Sequence, residues 1–403
     1  MLVKFFKLVV TTFFRDVTVK GVDNLPDSGP VIFTPNHPNA LVDPLLLFFL
    51  PPVYKICFVA KAPLFKIPLL GWIMHKMHAI PVVRRFEANG EVDYKAFFSS
   101  CVDSLGAGNS IAIFPEGISL PQPHMTTMRT GAARLFFMAR ERNIDVRIVP
   151  VGLNYEYGSI FRTSVVVWVA PQLDTKDLVE KHKEFPQIAV RELTERIRNN
   201  LEEYVFQTEN FQDRELMLLL ERIYSEEKNS DQWSERFERL KQFEVGFNAL
   251  KGPCVSEIES LREMLSRYKK LTTSLEGMYD SAVDNTKGSL KQFLLVLTGS
   301  PFAGLGWLLN ILPYQLCNLI VKHIKRYDKA KAATYKVVYS LLLFPLTFLL
   351  EAVLIHIWLG WVAMVTFVIL IIPISYFTLF FLEWLHKGGL GMPIYSLKLR
   401  ATL

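Results

Sequence analysis

A histidine and an aspartate lie close together in a turn-forming stretch, Asn36 to Pro44. Five residues separate His37 from Asp43. An imidazole beside a carboxylate makes a general base, because the carboxylate fixes the tautomer of the ring and the ring then takes a proton from a hydroxyl. We therefore predict that His37 is a catalytic base and that Asp43 orients it. The alternative is a pair that only braces the turn.

A second stretch places a carboxylate directly after an apolar run. Glu116 lies between Pro115 and Gly117 and follows the run Ile111–Phe114. Polar residues at the end of a strand are where α/β folds usually build their sites. The alternative for Glu116 is a capping carboxylate at the start of a helix.

Together, and in this order, the two stretches resemble the glycerolipid acyltransferase family, of the phosphatidate-synthesis type. Two further blocks, Ala79–Arg84 and Ile148–Gly152, are similar to the second and fourth blocks of the family, and Thr130–Arg134 is similar to the segment that follows its glutamate. The resemblance covers roughly residues 20–200, about half of the chain. It implies an acyl transfer in which the acceptor hydroxyl attacks a thioester directly, without an acyl-enzyme.

The resemblance also indicates which residues contact the acceptor. Arg84 would hold the substrate phosphate, since a guanidinium matches a phosphate with paired hydrogen bonds. Glu116 would hold or orient the glycerol hydroxyls, and Gly117 would let the substrate approach the backbone. For Arg84, the alternative is an ordinary surface cation.

Three more residues are predicted to support the site. Asn39 would tie together the turn that follows His37. Lys61 and Arg85 would add positive charge near the phosphate, although a solvated surface role fits each of them at least as well.

The chain departs from the family pattern at two places. The usual pattern has four residues between histidine and aspartate, whereas this chain has five; fungal-type glycerol-3-phosphate acyltransferases look similar in this respect. The stretch Phe114–Gly117 corresponds to the third block of the family, which usually continues Gly-Thr-Arg-Ser, but here Gly117 is followed by Ile-Ser-Leu. The second phosphate-contacting arginine is therefore missing from that place, and Arg129, Arg134 or Arg85 could substitute for it.

The composition indicates a membrane-associated protein. Half of the 403 residues are hydrophobic, phenylalanine alone numbers 30, and the mean hydropathy is +0.22, which is high for a soluble protein. The net charge of +6 fits attraction to anionic lipid headgroups or to phosphate substrates. No basic stripe with interleaved aromatics is present, so nucleic acid is not a predicted partner. The four cysteines have no metal-ligand spacing, and no metal or cofactor is predicted beyond the thioester co-substrate.

The first half of the chain divides into two predicted parts. Residues 1–19 combine lysines with phenylalanine and leucine in a run too short to span a bilayer, which predicts an amphipathic helix in the membrane interface; the alternative is a buried N-terminal helix. Residues 20–175 alternate short apolar runs with helical segments, which predicts an α/β catalytic domain with a largely parallel sheet. Six strands are predicted, at 31–33, 56–59, 80–83, 111–114, 146–151 and 165–169.

The second half is predicted to be helical. Residues 176–290 are dense in charge and carry apolar residues at helical spacing, which predicts several amphipathic helices that pack together or on the catalytic domain. Residues 291–403 form a predicted membrane region, in which 337–384 is a transmembrane hairpin with its joint in the stretch 356–361.

The segment 293–321 is less regular, because it contains several glycines and prolines. Basic residues in the loop that follows it and in the C-terminal tail predict that both lie on the cytoplasmic side. A crossing by 293–321 would place the catalytic domain away from cytosolic acyl donors. We therefore predict a re-entrant or interfacial segment in a multi-pass membrane protein whose catalytic domain is cytoplasmic.

The predicted reaction moves a fatty acyl group from acyl-CoA or acyl carrier protein to a hydroxyl of glycerol 3-phosphate or 1-acylglycerol 3-phosphate (lysophosphatidate), in phospholipid biosynthesis. The longer histidine–aspartate spacing favours glycerol 3-phosphate. A second hypothesis is lysophospholipid remodelling or acylation of an aminoacyl lipid, which phosphate dependence would separate from the first. A third is a membrane scaffold with a degenerate acyltransferase fold, against which the presence of His37, Asp43, Glu116 and Arg84 argues.

Overall fold

The computed structural model describes residues 2–83, 94–228, 232–279, 290–324 and 331–387. The chain divides into two compact units, Met1–Val255 and Ser256–Leu403. The first unit contains the sheet and both motifs of the candidate site, and the second unit is helical in its described residues.

The first unit is built on a seven-stranded sheet. Its strands are β1 (Asp16–Lys20), β2 (Val31–Pro35), β3 (Ile56–Lys61), β4 (Ile80–Val82), β5 (Ser110–Ala112), β6 (Arg147–Tyr155) and β7 (Ser164–Val169). Their spatial order is β1-β7-β6-β2-β5-β3-β4. Strands β2 to β6 are mutually parallel, whereas β7 runs antiparallel to β6 and pairs in parallel with β1. The fold is therefore the largely parallel α/β architecture that the alternating pattern predicted.

Each of the six predicted strands overlaps one of β2 to β7. The central strand β2 shows why such runs are apolar throughout: Val31, Ile32 and Phe33 are fully buried although successive side chains point to opposite faces. Both faces of the sheet are therefore covered, as is usual for parallel strands.

The edge strand β1 was not predicted, and the stretch 1–19 is not a single helix. The first helix ends at Phe13. The backbone N–H of Arg15 then donates to the Thr163 carbonyl over 2.8 Å, and Asp16–Lys20 pairs with β7. The alternating valines and threonine of this segment suit a strand better than a continued helix.

The helices of the first unit follow in chain order. They are α1 (Leu2–Phe13), α2 (Val42–Leu46), α3 (Pro68–Lys76), α4 (Tyr94–Gly106), α5 (Gly131–Glu141), α6 (Lys176–Glu184), α7 (Pro186–Tyr204), α8 (Phe211–Lys228) and α9 (Trp233–Leu250). Short 3-10 turns lie at Val22–Asn24, Leu47–Phe49 and Ala62–Lys66.

The helices of the region 176–250 pack on the sheet rather than only on one another. Ile197 of α7 belongs to the same buried cluster as Phe136 of α5 and Ile32 of β2. At the other end of the sheet, Trp233 and Phe237 of α9 pack with Val166 of β7. This burial of apolar helix faces against strands explains why the first unit extends to Val255.

The second unit consists of α10 (Val255–Tyr279, which begins at the last residue of the first unit), α11 (Leu290–His323) and α12 (Ala332–Lys387). Irregular backbone was expected for 293–321. The structure instead has one continuous helix there, α11, which runs through Pro301 and Pro313. Both α11 and α12 are long and apolar enough to cross a membrane, by length and composition.

Two features describe how α11 and α12 are arranged: a break inside α12 and close packing between the two helices. The non-helical residue inside α12 is Gly360, with φ 83° and ψ 177°, at the position where the sequence predicts the joint of a hairpin. Small residues of α11 allow close packing: a Cβ added at Gly306 would lie 2.0 Å from Thr378 Oγ1. Beside it, the Asn310 amide donates to Ser375 Oγ over 2.8 Å. Small residues and interhelical hydrogen bonds of this kind are typical of helices packed in membranes.

Candidate active site

The candidate site lies where three neighbouring parallel strands end. His37 follows β2, Glu116 follows β5, and Tyr155 is the last residue of β6; β2 lies between the other two. Parallel strands bring their carboxyl ends to one edge of the sheet, which is where α/β folds place sites. Asn36 fixes this edge, since its side chain accepts from the Leu153 N–H over 2.6 Å and donates to the Leu153 carbonyl over 3.1 Å.

His37 and Asp43 form the pair that their spacing predicts. The Nδ1 atom of His37 lies 2.8 Å from Asp43 Oδ2. Asp43 is in the first turn of α2 and is fully buried, whereas the His37 side chain keeps 14% of its surface exposed. Because Nδ1 faces the carboxylate, Nε2 is the ring nitrogen left to accept a proton from another molecule.

Asp43 is held by two more donors. The Asn39 backbone N–H donates to Oδ2 over 2.7 Å, and the Tyr155 hydroxyl donates to Oδ1. Hydrogen bonds to both oxygens fix the plane of the carboxylate and therefore the orientation of the His37 ring. Burial and the nearby Asp43 charge raise the pKa of Tyr155 well above its ordinary value, so this phenol stays protonated and remains a donor.

Glu116 braces the same turn from the neighbouring strand. One carboxylate oxygen accepts from the His37 backbone N–H over 2.7 Å. The other accepts from the backbone N–H and the hydroxyl of Thr126, over 3.0 and 2.8 Å. Glu116 is also nearly buried, at 5% exposure. The structure thus gives Glu116 protein partners on both oxygens, and a contact between Glu116 and an acceptor remains a prediction.

The ring of His37 is supported from one side by Phe114. The two rings stack with centroids 4.1 Å apart. The chain then turns at Gly117, whose φ of 69° favours glycine. A Cβ at Gly117 would lie 3.3 Å from the Arg129 side chain. The Arg129 N–H also donates to the Pro115 carbonyl over 2.7 Å, so Arg129 is anchored beside this block.

Asn39 contacts protein groups in the way a turn-bracing residue should. It is buried, its backbone N–H binds Asp43, and its side-chain amide donates to the Gly158 carbonyl over 2.8 Å. These contacts join the His37 turn to the segment that follows β6. No direct contact with substrate is needed to account for the residue type.

The predicted basic residues differ in how far the structure locates them. Lys61 ends β3 and pairs in register with Val82 of β4. Arg84 and Arg85 follow β4 but lie outside the described residues. The contacts of Arg84 and Arg85 with a phosphate stay predictions. Lys61 lies at the same edge of the sheet as His37, because β3 is parallel to β5 and β5 to β2.

Two residues of the site, Tyr155 and Ser119, are not predicted from the sequence. The predicted strand 146–151 stops at Val151, whereas β6 continues to Tyr155, which is therefore a strand-end residue that the pattern does not indicate. Ser119 accepts a hydrogen bond from the Ala40 N–H over 2.8 Å. The only available signal for Ser119 was its place in the third block, where the family pattern has arginine.

Comparisons with known proteins agree with these motifs. A family model described as acyltransferase matches residues 16–154. The chloroplastic 1-acyl-sn-glycerol-3-phosphate acyltransferase LPAT1 of Arabidopsis thaliana is 30% identical over 141 residues, which are 35% of this chain and 36% of that protein. Glycerol-3-phosphate O-acyltransferase 1 of Saccharomyces cerevisiae is 28% identical over 139 residues, 33% of this chain and 18% of that protein.

Two other comparisons reach further along the chain. Glycerol-3-phosphate O-acyltransferase 2 of Saccharomyces cerevisiae is 22% identical over 322 residues, with 54% of this chain and 43% of that protein covered. A crystal structure of the 1-acyl-sn-glycerophosphate acyltransferase PlsC from Thermotoga maritima covers 48% of this chain and 78% of that one, at 20% identity and a TM-score of 0.35. The chain spans less than half the length of each of these three curated relatives. Over residues 16–154 the chain is thus similar to acyltransferases, among them proteins named as glycerol-3-phosphate and 1-acylglycerol-3-phosphate acyltransferases.

Proposed function

We propose that this protein transfers a fatty acyl group from a thioester, acyl-CoA or acyl-acyl carrier protein, to a hydroxyl of glycerol 3-phosphate or 1-acylglycerol 3-phosphate. The observation that carries the proposal is the His37–Asp43 pair. The buried carboxylate accepts hydrogen bonds from the Asn39 N–H and the Tyr155 hydroxyl, and the imidazole remains partly exposed at the edge of the sheet.

The chemistry follows from this arrangement. Nε2 of His37 takes the proton of the acceptor hydroxyl while the oxygen attacks the thioester carbonyl. The tetrahedral intermediate then collapses, the carbon–sulfur bond breaks, and the imidazolium returns its proton to the departing thiolate. Asp43 stabilises the imidazolium and holds the tautomer throughout. The ester forms in one transfer, so no nucleophilic side chain of the protein is acylated.

The acceptor phosphate requires positive charge near this edge. We assign its binding to Arg84 and, in place of the arginine missing from the third block, to Arg129. Arg129 is supported by the position of its side chain, which lies 3.3 Å from where a Cβ on Gly117 would be, and by its backbone hydrogen bond to the Pro115 carbonyl. Among the residues that the structure describes, its exposed guanidinium has no carboxylate partner. Arginine suits the role because it binds phosphate through two hydrogen bonds at once.

The acceptor is narrowed by two observations but not to one molecule. The five-residue spacing and the two Saccharomyces cerevisiae relatives, which are named as glycerol-3-phosphate O-acyltransferases, favour glycerol 3-phosphate. The Arabidopsis thaliana relative, named as a 1-acyl-sn-glycerol-3-phosphate acyltransferase, favours lysophosphatidate. Both acceptors carry the phosphate that the arginines would bind.

We also propose that the protein is membrane-bound, multi-pass and catalytic on the cytoplasmic side. Val3, Phe5 and Leu8 of α1 are exposed, which suits a helix lying in the membrane interface. The apolar helices α11 and α12 would hold the chain in the bilayer. This placement keeps the active site next to a membrane in which the acylated product dissolves.

The proposal is tested by offering labelled palmitoyl-CoA and palmitoyl-acyl carrier protein to the purified, detergent-solubilised protein. Glycerol 3-phosphate, lysophosphatidate and lysophosphatidylcholine would be compared as acceptors. We expect labelled product from a glycerol-phosphate acceptor. Transfer only to lysophosphatidylcholine would support lysophospholipid remodelling instead, and no transfer to any acceptor would support the scaffold hypothesis.

A further inference from the structure

The turn between His37 and Asp43 contains an unusual backbone conformation. Ala40 has a φ of 45°, in the left-handed region that a residue with a Cβ rarely adopts. Ala40 lies within the five-residue turn that is one residue longer than the usual pattern. The longer turn is therefore accommodated by a left-handed residue, and that residue needs a restraint to stay in place.

The restraint comes from the third block. Ser119 Oγ accepts a hydrogen bond from the Ala40 N–H over 2.8 Å. The preceding N–H, that of Asn39, donates to Asp43 Oδ2 over 2.7 Å. Two successive backbone donors of the turn thus point to different acceptors, one in the catalytic pair and one in the block that carries Glu116.

We propose that Ser119 is a positioning residue for the catalytic base. By binding the Ala40 N–H, its hydroxyl holds the long turn in the conformation that keeps the Asn39 N–H on Asp43, and thereby keeps Asp43 on His37. This inference rests on the proposed acyl-transfer function. It adds a residue that acts on the reaction without touching substrate.

The same contact explains why an arginine is absent at this place. An arginine side chain only donates hydrogen bonds, so it cannot accept one from the Ala40 N–H. A serine hydroxyl can accept, and it is short enough to stay within the turn. This hydrogen bond therefore links the two departures from the family pattern, because the extra residue lies in the turn that donates it and the serine that accepts it stands in place of the arginine. The positive charge that the arginine would offer to the acceptor phosphate then has to come from another residue.

The test compares steady-state kinetics of Ser119→Ala, Ser119→Thr and a control, Ser100→Ala, with the acceptor that the acyl-transfer assay identifies. Ser100 lies on α4 and its hydroxyl donates to the Ala96 carbonyl of its own helix. We expect Ser119→Ala to lower kcat about 3- to 10-fold, the range for loss of one hydrogen bond, with KM for both substrates unchanged. Ser119→Thr should recover most of the loss, because it keeps the hydroxyl.

A second variant tests the backbone argument. Glycine adopts the left-handed region without steric cost, so Ala40→Gly combined with Ser119→Ala should recover part of the kcat lost in Ser119→Ala. A raised KM for the acceptor with unchanged kcat would show that Ser119 binds substrate instead. Wild-type kcat in Ser119→Ala, or a Ser119→Thr variant as impaired as Ser119→Ala, would also overturn the inference.

Hydrogen–deuterium exchange of the segment 36–44 separates this inference from the proposed function, because it needs no activity. We expect faster exchange in Ser119→Ala than in the wild-type protein and in Ser119→Thr. Unchanged exchange would contradict the positioning role even in an active enzyme. Absence of acyl transfer by the wild-type protein would instead contradict the proposed function, while the exchange result would still decide whether Ser119 holds the turn.

Discussion

Tyr155 donates its hydroxyl hydrogen to the Asp43 oxygen that His37 does not contact. One buried carboxylate thus joins the end of β6 to the turn after β2. Tyr155, Asp43 and His37 form a hydrogen-bonded series. Of these three side chains, the partly exposed imidazole of His37 is the one that another molecule can reach.

Tyr155→Phe removes the hydrogen bond to Asp43 and keeps the ring. We expect kcat to fall about tenfold or more, the effect of losing one hydrogen bond to a charged group, because Asp43 then holds His37 less firmly. KM should not change, since Tyr155 contacts no substrate in this account. Tyr204→Phe, on α7, is the matched control. A change confined to KM would show that Tyr155 acts on binding instead.

The raised pKa of Tyr155 also has a consequence for stability. In the unfolded chain this phenol loses its proton near its ordinary pKa of 10.0, whereas in the folded protein it keeps it. Unfolding therefore releases a proton above that pH, and the contribution of Tyr155 to stability is complete below about pH 10 and is lost as the pH rises further. The stability difference between wild type and Tyr155→Phe should shrink between about pH 9 and pH 11. Denaturant unfolding at these two pH values measures it, and a constant difference would contradict the shift.

Glu116→Gln distinguishes bracing from acceptor binding. A glutamine offers one carbonyl oxygen where the structure uses two carboxylate oxygens, for His37 and for Thr126. One buried donor then loses its partner, and we expect a loss of about 1–3 kcal/mol in the free energy of unfolding together with a lower kcat. Thermal unfolding and kinetics would be measured on the same preparation. An unchanged stability with a raised KM for the acceptor would favour the substrate contact that the sequence predicted.

Arg129→Ala tests the proposed replacement for the missing third-block arginine. Loss of a charged hydrogen bond to phosphate should raise KM for glycerol 3-phosphate about tenfold or more and leave KM for the thioester unchanged. Arg140→Ala, at the far end of α5 and paired with Asp145, is the control. A larger effect from Arg134→Ala than from Arg129→Ala would move the phosphate contact to Arg134.

Gly360→Ala probes the joint inside α12. The φ of 83° and ψ of 177° at Gly360 lie in a region that is essentially restricted to glycine, so alanine should cost about 1–3 kcal/mol there. Gly304→Ala is the matched control, because Gly304 is helical and a Cβ there would meet nothing within 4 Å. Thermal unfolding of the detergent-solubilised variants compares them. Equal stability of the two variants would mean that Gly360 is not held in this conformation.

The parts of the site that lie close together in sequence could be predicted. His37 and Asp43 are contained in one turn, so their contact could be predicted from their types and spacing. The hydrogen bonds of Glu116 to His37 and Thr126 were not predicted. Tyr155 could not be predicted in the same way, because it reaches Asp43 only after β6 is placed beside β2 in the sheet. The role of Ser119 could not be predicted either. It depends on the left-handed conformation of Ala40, which alanine does not favour and the sequence does not indicate.

The fold shows a similar division. The strands β2 to β7 were predictable because buried parallel strands are apolar runs. The edge strand β1 has few residues and depends on β7 for its pairing, so the preceding helical pattern concealed it. In α11, prolines and glycines indicated an irregular segment, but packing against α12 keeps the helix continuous, which a propensity measured for isolated helices does not anticipate.

The central claim is that His37 is the base for acyl transfer. The most direct test is the rate of product formation from palmitoyl-CoA and glycerol 3-phosphate, measured for wild type, His37→Ala and His323→Ala. His323 is an exposed histidine at the end of α11 and serves as the control. We expect His37→Ala to lower kcat by about 100-fold or more, as loss of a general base does, while His323→Ala keeps the wild-type rate. A His37→Ala variant as active as the wild-type protein would contradict the account.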